Sequence, residues 1–473
     1  MGGVARFSTV LALALLIVAG ATLVFWPGVA MYDSVAQYGQ VVAGQYDDWH
    51  PPVMARLWSV LHGLCGDGTA PMFLLQLGLY GLGFGLIAAT LAATGRAWAA
   101  SATLILSASP LLLGWQAVVL KDAQMLGALL AATGLIAAFR LREKAIPGWT
   151  SVAAAVLILY APLVRANAPF ATVPLVILLA PRPHALSARL AAIAVATLLV
   201  LGVAPAINHR LFAAETTDVA KSEPLFDLAG IAMRTPSAPS PFTGAERAVI
   251  AARHCSKPFF WDPLGDERAC GGVVARLQEA PVRSLYHALG SAIVAHPAAY
   301  LAHRAAHWNS TERWLVPAGL PSAAPGETSE PNDLGLVSPS SPLAGEFDKL
   351  ARAEAATPCG WPILWTVVAG IAAAVAAKSR DVSSGGLAFA LAGSALATEA
   401  SFFVVSIASD LRYHLWSMTA SALALILAAG GAGARRGLLI PATALLGMVV
   451  AGGLAARATL PRSPASYRAM IMS

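Results

Sequence analysis

The sequence predicts an all-α polytopic membrane protein, and three observations support this: an apolar composition, a series of apolar segments of membrane-spanning length, and the placement of basic residues. Of the 473 residues, 57% are hydrophobic and only 12% are charged, and the mean hydropathy is +0.66. Average soluble domains carry about 25% charged residues. The apolar surplus runs through most of the chain, which excludes a soluble domain with one anchor.

The apolar segments predict about eleven transmembrane helices, because a membrane helix needs about 20 mostly apolar residues. Two of these segments, 150–164 and 168–180, are short, and we expect them to be tilted, broken or partly inserted. The predicted spans are 8–25, 71–93, 98–116, 122–139, 150–164, 168–180, 188–207, 361–377, 384–408, 414–431 and 437–456.

Basic residues favour this topology, because cytoplasmic loops of membrane proteins are enriched in Lys and Arg. With the N-terminus in the cytoplasm, every predicted inner connection is short and basic, so topology rather than nucleic-acid binding explains the excess of Lys and Arg. The first apolar run is longer than the 7–15 residues or so of a signal peptide, so we expect an uncleaved helix. The tail from Arg457 then lies outside, and its basic residues count against the last predicted span because basic residues are enriched on the cytoplasmic side. The inner basic residues are Arg6, Arg96, Arg140 with Arg142 and Lys144, Arg182 with Arg189, Lys378 with Arg380, and Arg435 with Arg436.

The predicted spans divide the chain into three parts. Residues 1–207 form an N-terminal transmembrane module with a first outside loop at 26–70, and residues 361–473 form a C-terminal transmembrane module. Between them, 208–360 is an outside segment of soluble-like composition, which we expect to be mainly helical and irregular. Its stretch 316–346 is rich in Pro, Ser, Gly and Ala, which is typical of a loop that lies over another part of a protein.

All four cysteines, Cys65, Cys255, Cys270 and Cys359, fall in predicted outside segments, where an oxidising compartment permits disulfides. Cys255 and Cys270 would close a loop of about 15 residues, a bridge worth on the order of 3 kcal/mol. We predict that these two cysteines are bonded, and a set of free thiols is the alternative.

A group of polar residues follows the first predicted span. Asp33 begins the stretch "DSVAQYGQVVAG", which favours a short helix at the membrane surface. The Pro-Pro pair at 51–52 ends any helix and fixes an extended turn, which would hold His50 near Asp47 and Asp48. A solvated loop whose acids face water is the alternative interpretation.

Other outer helix ends carry polar residues at the same membrane level. Cations on this side run against the positive-inside trend, and they suit either lipid headgroups generally or a pocket for a phosphate, whose oxygens match the fork of Arg. The residues at these ends are Lys121 and Asp122, Arg165 and Asn167, Asn208 with His209 and Arg210, and Asp410 with Arg412, Tyr413 and His414.

Glu399 lies within the ninth predicted span, about 14 Å from its outer end at 1.5 Å per residue. A carboxylate at that depth is costly and usually faces a cavity or a partner. Two interpretations stand side by side: Glu399 lines the groove of a lipid substrate, or it contacts another helix.

The pattern D-S-V-A-Q-Y-(x7)-Y-D-D-W-H-P-P, which starts at Asp33, resembles the first outside loop of the GT-C superfamily of membrane glycosyltransferases. It is most similar to the branch of the protein mannosyltransferases and the lipid A aminoarabinose transferases. The stretches "LKD", "RANAP" and "SDLRYHLW" are similar to later outside-edge motifs of related families. The resemblance implies a GT-C-like bundle of about eleven transmembrane helices with a large outside segment.

The resemblance also implies an enzyme that transfers a hexose or pentose from a polyprenyl-phosphate donor to a glycolipid, polysaccharide or protein of the cell envelope. The site would face the periplasm from a bacterial inner membrane, and direct displacement would invert the anomeric centre. Asp33 corresponds to the catalytic acid of the family and would act as general base. Lys121, Arg165 and Arg412 would stabilise the leaving phosphate.

Further expectations concern the residues around these four. His50 positions a substrate or ligates a metal. Many relatives carry two adjacent acids, whereas Ser34 follows Asp33, so a second acid would come from Asp47 or Asp48, and a divalent metal is an open question. The supporting residues of the predicted site are Asp47, Asp48, Asp122, Asn167, Glu399, Asp410 and Tyr413.

Two other classes compete with the transferase. A transporter or lipid flippase would normally place its polar residues and broken helices near the membrane midplane, whereas here only Glu399 is deep. A non-catalytic binding protein would use the segment 208–360, but it gives no reason for the polar outer helix ends. The expected partners are the bilayer, the lipid-linked sugar and the acceptor, and nucleic acid is not among them.

Overall fold

The structure is a computed structural model that describes residues 2–180, 185–236, 240–379, 381–429 and 436–472. The described part of the chain is all-helical, with 74% of residues in helices. Three basic residues used for the topology, Arg182, Arg380 and Arg435, lie outside the described residues.

The helices follow one another with short connections. The N-terminal helices are α1 (Gly2–Phe25), α2 (Tyr32–Ala43), α3 (Val53–Cys65), α4 (Ala70–Ala93), α5 (Ala97–Ser107), α6 (Pro110–Ala117), α7 (Lys121–Arg140), α8 (Gly148–Val164), α9 (Pro169–Leu179) and α10 (Leu186–Ala206), which continues as a π-helical turn (Ile207–Leu211). The middle segment contains α11 (Val219–Arg234), α12 (Gly244–Ala252), α13 (Asp262–Gly265), α14 (Gly271–Gln278), α15 (Val282–Ala295), α16 (Pro297–Thr311) and α17 (Pro342–Ala356). The C-terminal helices are α18 (Pro362–Ala377), α19 (Val382–Val405), α20 (Leu415–Ala429), α21 (Arg436–Thr459) and α22 (Tyr467–Met472), and 3-10 turns lie at Pro358–Gly360 and Leu411–His414.

The structure confirms some of the predicted membrane spans. A helix occupies each of the eleven predicted segments, but in the described residues only six are long and apolar enough to cross a membrane, or seven if α5 and α6, bent by 48°, form one span. Helix α9 shows the reason, since its 11 residues extend only about 16 Å at 1.5 Å per residue. The chain is therefore an integral multi-pass membrane protein, and the count of about eleven spans is not established. The six are Gly3–Phe25, Ala70–Ala93, Lys121–Arg140, Leu186–Leu211, Val382–Val405 and Ile440–Thr459.

The helices before and after the middle segment share one apolar core. In the N-terminal part, α4 packs between α1 and α7, and in the C-terminal part α18, α19 and α20 pack together. A Cβ atom on Gly134 would lie 2.7 Å from the Gly83 carbonyl oxygen, so α4 and α7 approach closely only because both positions are glycine. Helix α9 packs on α19, which joins the two parts.

The middle segment has a core of its own, built from α11, α12, α14 and α15. Leu225, Phe242 and Val274 are buried there. Cys255 and Cys270 lie in the same core and form a disulfide, with their Sγ atoms 2.12 Å apart, in agreement with the predicted bridge. Cys65 and Cys359 are free and exposed.

This pairing predicts the result of thiol labelling. Under denaturing conditions without reductant, a maleimide-polyethylene glycol tag should add to two cysteines, Cys65 and Cys359, and after reduction it should add to four. Gel mobility measures the number of tags. The double variant Cys65→Ser/Cys359→Ser is the control, because it should take no tag before reduction and two after. Four tags without reductant would contradict the bridge.

The stretch rich in Pro, Ser and Gly connects two loops at one end of the bundle, and we call residues 316–341 the strap. Its Glu330 N–H donates to the Ala30 carbonyl (2.8 Å), and the Ala30 N–H donates to Ser329 Oγ (3.0 Å). At its other end, the Ser322 carbonyl accepts from the Leu411 N–H (3.0 Å). The strap therefore fixes two connections at once, the one before α2 and the one between α19 and α20.

Candidate functional site

The first part of the site is built by a short backbone pairing between two connections. The Val29 N–H donates to the Ala117 carbonyl, and the Val119 N–H donates to the Val29 carbonyl, both at 2.9 Å. The carbonyls of Gln116, in the last turn of α6, and of Val118, just after α6, also accept from Gln76 Nε2. These bonds satisfy backbone groups that an apolar environment would leave unpaired. The pairing places the first turn of α2 beside the first turn of α7.

Asp33, in the first turn of α2, is the centre of the site. Its Oδ2 accepts from Arg412 Nη1 at 2.8 Å and lies 3.4 Å from Lys121 Nζ, while its Oδ1 lies 3.7 Å from His50 Nε2. The Asp33 side chain is only 12% exposed. The structure thus brings together four predicted site residues from four separate parts of the sequence.

The charge state of Asp33 follows from its neighbours. Burial by itself would raise the pKa of Asp33, but the positive charges of Arg412 and Lys121 outweigh burial and hold that pKa well below its usual range. Asp33 is therefore ionised and tightly paired. A carboxylate in this state is a weak base until its cationic partners are drawn away from it.

His50 lies on the other side of Asp33 and is buried. Burial and the ammonium group of Lys121 lower the pKa of His50 to about 3, so its ring is neutral at pH 7. Lys121 Nζ donates to His50 Nδ1 at 2.5 Å, which leaves the proton of the ring on Nε2. Nε2 is buried and has no hydrogen-bond partner among the described residues, and Asp33 Oδ1 lies 3.7 Å from it.

Arg165 lies in the break between α8 and α9. Its guanidinium pairs with Asp122 Oδ1, its Nε donates to Asn167 Oδ1 at 2.6 Å, and its Cζ lies 4.2 Å from the centre of the Tyr413 ring. Asp122 Oδ2 in turn is 4.0 Å from Arg412 Nη1. The Asp33–Arg412 ion pair is therefore adjoined by four more predicted residues: Arg165, Asp122, Asn167 and Tyr413.

Arg412 joins the two halves of the site. Besides Asp33, it binds Asp410 through Nε at 3.0 Å. The loop that carries Arg412 is held from outside, because Arg313 Nη2 donates to the Ser409 carbonyl at 3.0 Å. Three cations then face three carboxylates, so the cluster is neutral while His50 is uncharged. The charged members are Lys121, Arg165 and Arg412 with Asp33, Asp122 and Asp410.

The structure places Asp47 and Asp48 apart from this cluster. Asp48 Oδ1 accepts from the backbone N–H and the hydroxyl of Thr217, both at 2.6 Å, and Asp47 Oδ1 accepts from the Trp49 N–H at 3.0 Å. These bonds anchor the loop before His50. The acids that share a cation with Asp33 are Asp122 and Asp410, which both lie near Arg412.

Glu399 also lies outside the cluster. Its Oε2 is 2.7 Å from His414 Nδ1, and its Oε1 accepts from the Ser417 hydroxyl. Because His414 and Ser417 belong to the connection before α20 and to α20 itself, Glu399 joins α19 to α20. This geometry agrees with the second interpretation, a contact between helices.

The donor set does not fit a divalent metal. Among the described residues there is no group of three or more His, Cys, Asp or Glu side chains placed to hold an ion. His50 Nδ1 accepts from the Lys121 ammonium, and Asp33 Oδ2 is already paired with the Arg412 guanidinium. A metal would therefore have to displace positive side chains from their carboxylates.

The structure adds a pair of residues that were not predicted from the sequence. Tyr467, in the C-terminal tail, donates its hydroxyl to Asp262 Oδ2 at 2.5 Å. Burial raises the pKa of Asp262 to about 6, and the negative charges of Asp410 and Asp33 act in the same direction. Asp262 is thus within electrostatic reach of the cluster, yet neither residue stands in a motif or at a predicted helix end.

Comparison of the chain with protein-family models, curated proteins and solved structures gave no match.

Proposed function

We propose that the chain is a glycosyltransferase that moves a sugar from a polyprenyl-phosphate donor to a cell-envelope acceptor on the outer membrane face. The observation that supports this best is the meeting of Asp33 with Lys121 and Arg412 at the ends of apolar helices. A polyprenyl chain stays in lipid while its phosphate stays at the interface. A base and two cations at helix ends match both requirements.

The paired state of the cluster suggests how a donor would be used. A phosphodiester carries one negative charge, and it would take the place of Asp33 as the partner of Arg412 and Lys121. Asp33 would then lose the two charges that lower its pKa and become a stronger base. Donor binding would in this way prepare the base in the same step that positions the leaving group.

The transfer step follows from these positions. The acceptor oxygen forms a bond to the anomeric carbon from the face opposite the phosphate, and its proton passes to Asp33. The bond from the anomeric carbon to the phosphate oxygen breaks, and that oxygen keeps the electron pair. Lys121 and Arg412 stabilise the polyprenyl phosphate that leaves, and the configuration at the anomeric carbon inverts. The Nε2–H of His50, which has no hydrogen-bond partner among the described residues, binds a substrate oxygen beside Asp33.

The alternative is a transporter or lipid flippase, and one observation favours it. Glu399 lies within one of the six candidate spans and is bonded to His414, and an ionisable group at such a position often marks an ion or substrate pathway. We rank this second because the side-chain partners of Glu399 are His414, Ser417 and Glu312, and none of these is a cluster residue.

An assay in detergent separates the two functions, because transport needs two compartments and transfer does not. Mass spectrometry of envelope lipids and glycans, with and without the gene, would first identify the missing sugar. The purified protein should then release polyprenyl phosphate from a lipid extract of the deletion strain and form the missing glycoconjugate. Absence of this reaction in detergent, combined with movement of the lipid-linked sugar across sealed vesicles, would favour the flippase.

A further inference from the structure

A group of three aromatic side chains and one acidic side chain adjoins His50. Trp49 directly precedes His50, and its ring centre lies 6.2 Å from that of Trp261, with the planes tilted by 43°. Asp262 follows Trp261 and accepts the hydroxyl of Tyr467. We call these four residues the rim: Trp49, Trp261, Asp262 and Tyr467.

Backbone contacts hold the rim against the cluster. The Trp261 N–H donates to the Ile407 carbonyl at 2.9 Å, and Phe260 pairs with Ala408 in an isolated β-bridge. The Tyr467 ring packs on the Phe260 ring, with centres 4.8 Å apart. The connection 406–410 therefore bonds the segment that holds Trp261, and it ends at Asp410 of the cluster.

The rim is accessible to a ligand. Trp49 is 41% exposed although it is a large apolar residue, and Trp261, Asp262 and Tyr467 are half-buried. The hydrogen bonds of the described residues include none donated by either indole N–H. Two tilted indole rings, whose N–H groups donate no hydrogen bond among the described residues, thus lie together. One of them adjoins His50 in the chain and the other adjoins Asp262.

This combination of groups suits a sugar ring. The C–H face of a pyranose is apolar and carries partial positive charge, so it packs on the electron-rich face of an indole. The hydroxyl groups at the edge of the ring need acceptors and donors, and hydrogen bonds to a carboxylate are stronger than those between neutral groups. We propose that the rim binds a saccharide and that this saccharide is the acceptor of the transfer reaction. Saccharide binding is inferred from the rim itself, and only the role of acceptor rests on the proposed function.

Glycan binding by the purified full-length protein tests this without any donor or turnover. The probe is an array of immobilised oligosaccharides containing hexoses and pentoses, with an array of immobilised peptides beside it. The wild-type protein should bind glycans of at least one type. Trp261→Ala and Asp262→Asn should each weaken that binding about tenfold, which corresponds to roughly 1.4 kcal/mol. Trp149→Ala is the matched control, because Trp149 is an exposed tryptophan elsewhere, on α8, and it should bind as the wild type does.

Each other outcome has a definite meaning. No glycan binding by the wild type, or unchanged binding by both rim variants, would overturn the proposal, and peptide binding that is lost in Trp261→Ala would replace the saccharide by a protein acceptor. If Trp261→Ala does not fold, Trp49→Ala tests the same rim from an exposed position. Glycan binding that depends on the rim, in a protein that releases no polyprenyl phosphate, would end the transferase proposal and leave the saccharide site in place.

Discussion

Asp33→Asn should abolish sugar transfer while the protein is still made and inserted. An amide cannot take the acceptor proton, and general base catalysis contributes typically about 10²- to 10⁴-fold. Asparagine keeps the size of the side chain and still accepts a hydrogen bond from Arg412, which lies 2.8 Å away in the wild type. The measurement is the rate of polyprenyl-phosphate release in detergent, at saturating donor.

The control for this variant is Asp67→Asn. Asp67 lies in the same predicted outside loop, but its side chain is 88% exposed and pairs only with His62 among the described residues. Its change should leave the rate within about twofold, as expected for a surface substitution worth up to roughly 0.5 kcal/mol. Transfer by Asp33→Asn at the wild-type rate would remove Asp33 from the mechanism.

Arg412→Ala should weaken the use of donor more than the use of acceptor. Arg412 is the shared partner of Asp33 and Asp410, so its loss removes a phosphate ligand and leaves two buried carboxylates without it. Breaking a buried ion pair costs about 3–5 kcal/mol, so we expect a lower unfolding temperature as well. The KM for the donor should rise by about tenfold or more, the effect of losing roughly 1.4 kcal/mol of binding.

Arg412→Lys separates charge from geometry. Lysine keeps the charge but lacks the planar fork, so it cannot hold Asp33 and Asp410 in the same way, and it should restore stability more than donor affinity. Arg352→Ala is the matched control, because Arg352 is 59% exposed and pairs with Asp348 on α17. A donor dependence in Arg412→Ala equal to that of the wild type would exclude Arg412 as a phosphate ligand.

The members of the cluster were predictable from the sequence for a simple reason. Asp33, Lys121, Arg165 and Arg412 all lie at predicted outer helix ends, and chain segments that leave a membrane on one side share one level. The pairing partners were not predictable, since Asp33 and Arg412 are 379 residues apart and hydropathy gives no information on which helices adjoin. Asp122 and Asp410 were predicted only as supporting residues. In the structure they are the two acids that lie near Arg412 in addition to Asp33.

Other features could not be derived because local sequence lacks the relevant signal. Hydropathy predicted the segment 98–116 as one span but gave no sign of the 48° bend between α5 and α6, and it showed that 168–180 is short without deciding whether that segment crosses the membrane. Asp262 and Tyr467 lie in polar, irregular stretches 205 residues apart, and only the packing of Tyr467 on Phe260 brings them together.

The strap has a consequence for how the protein can be inactivated. Its bonds to Ala30 and Leu411 are made by main-chain atoms and one serine hydroxyl, so many amino-acid changes along it should be harmless while a cut is not. A single proteolytic cleavage between Ser322 and Ser329 would break the link that the strap makes between the connection before α2 and the connection between α19 and α20. It would do so without altering a charged residue. Susceptibility to an added protease would then report on the integrity of the charged centre.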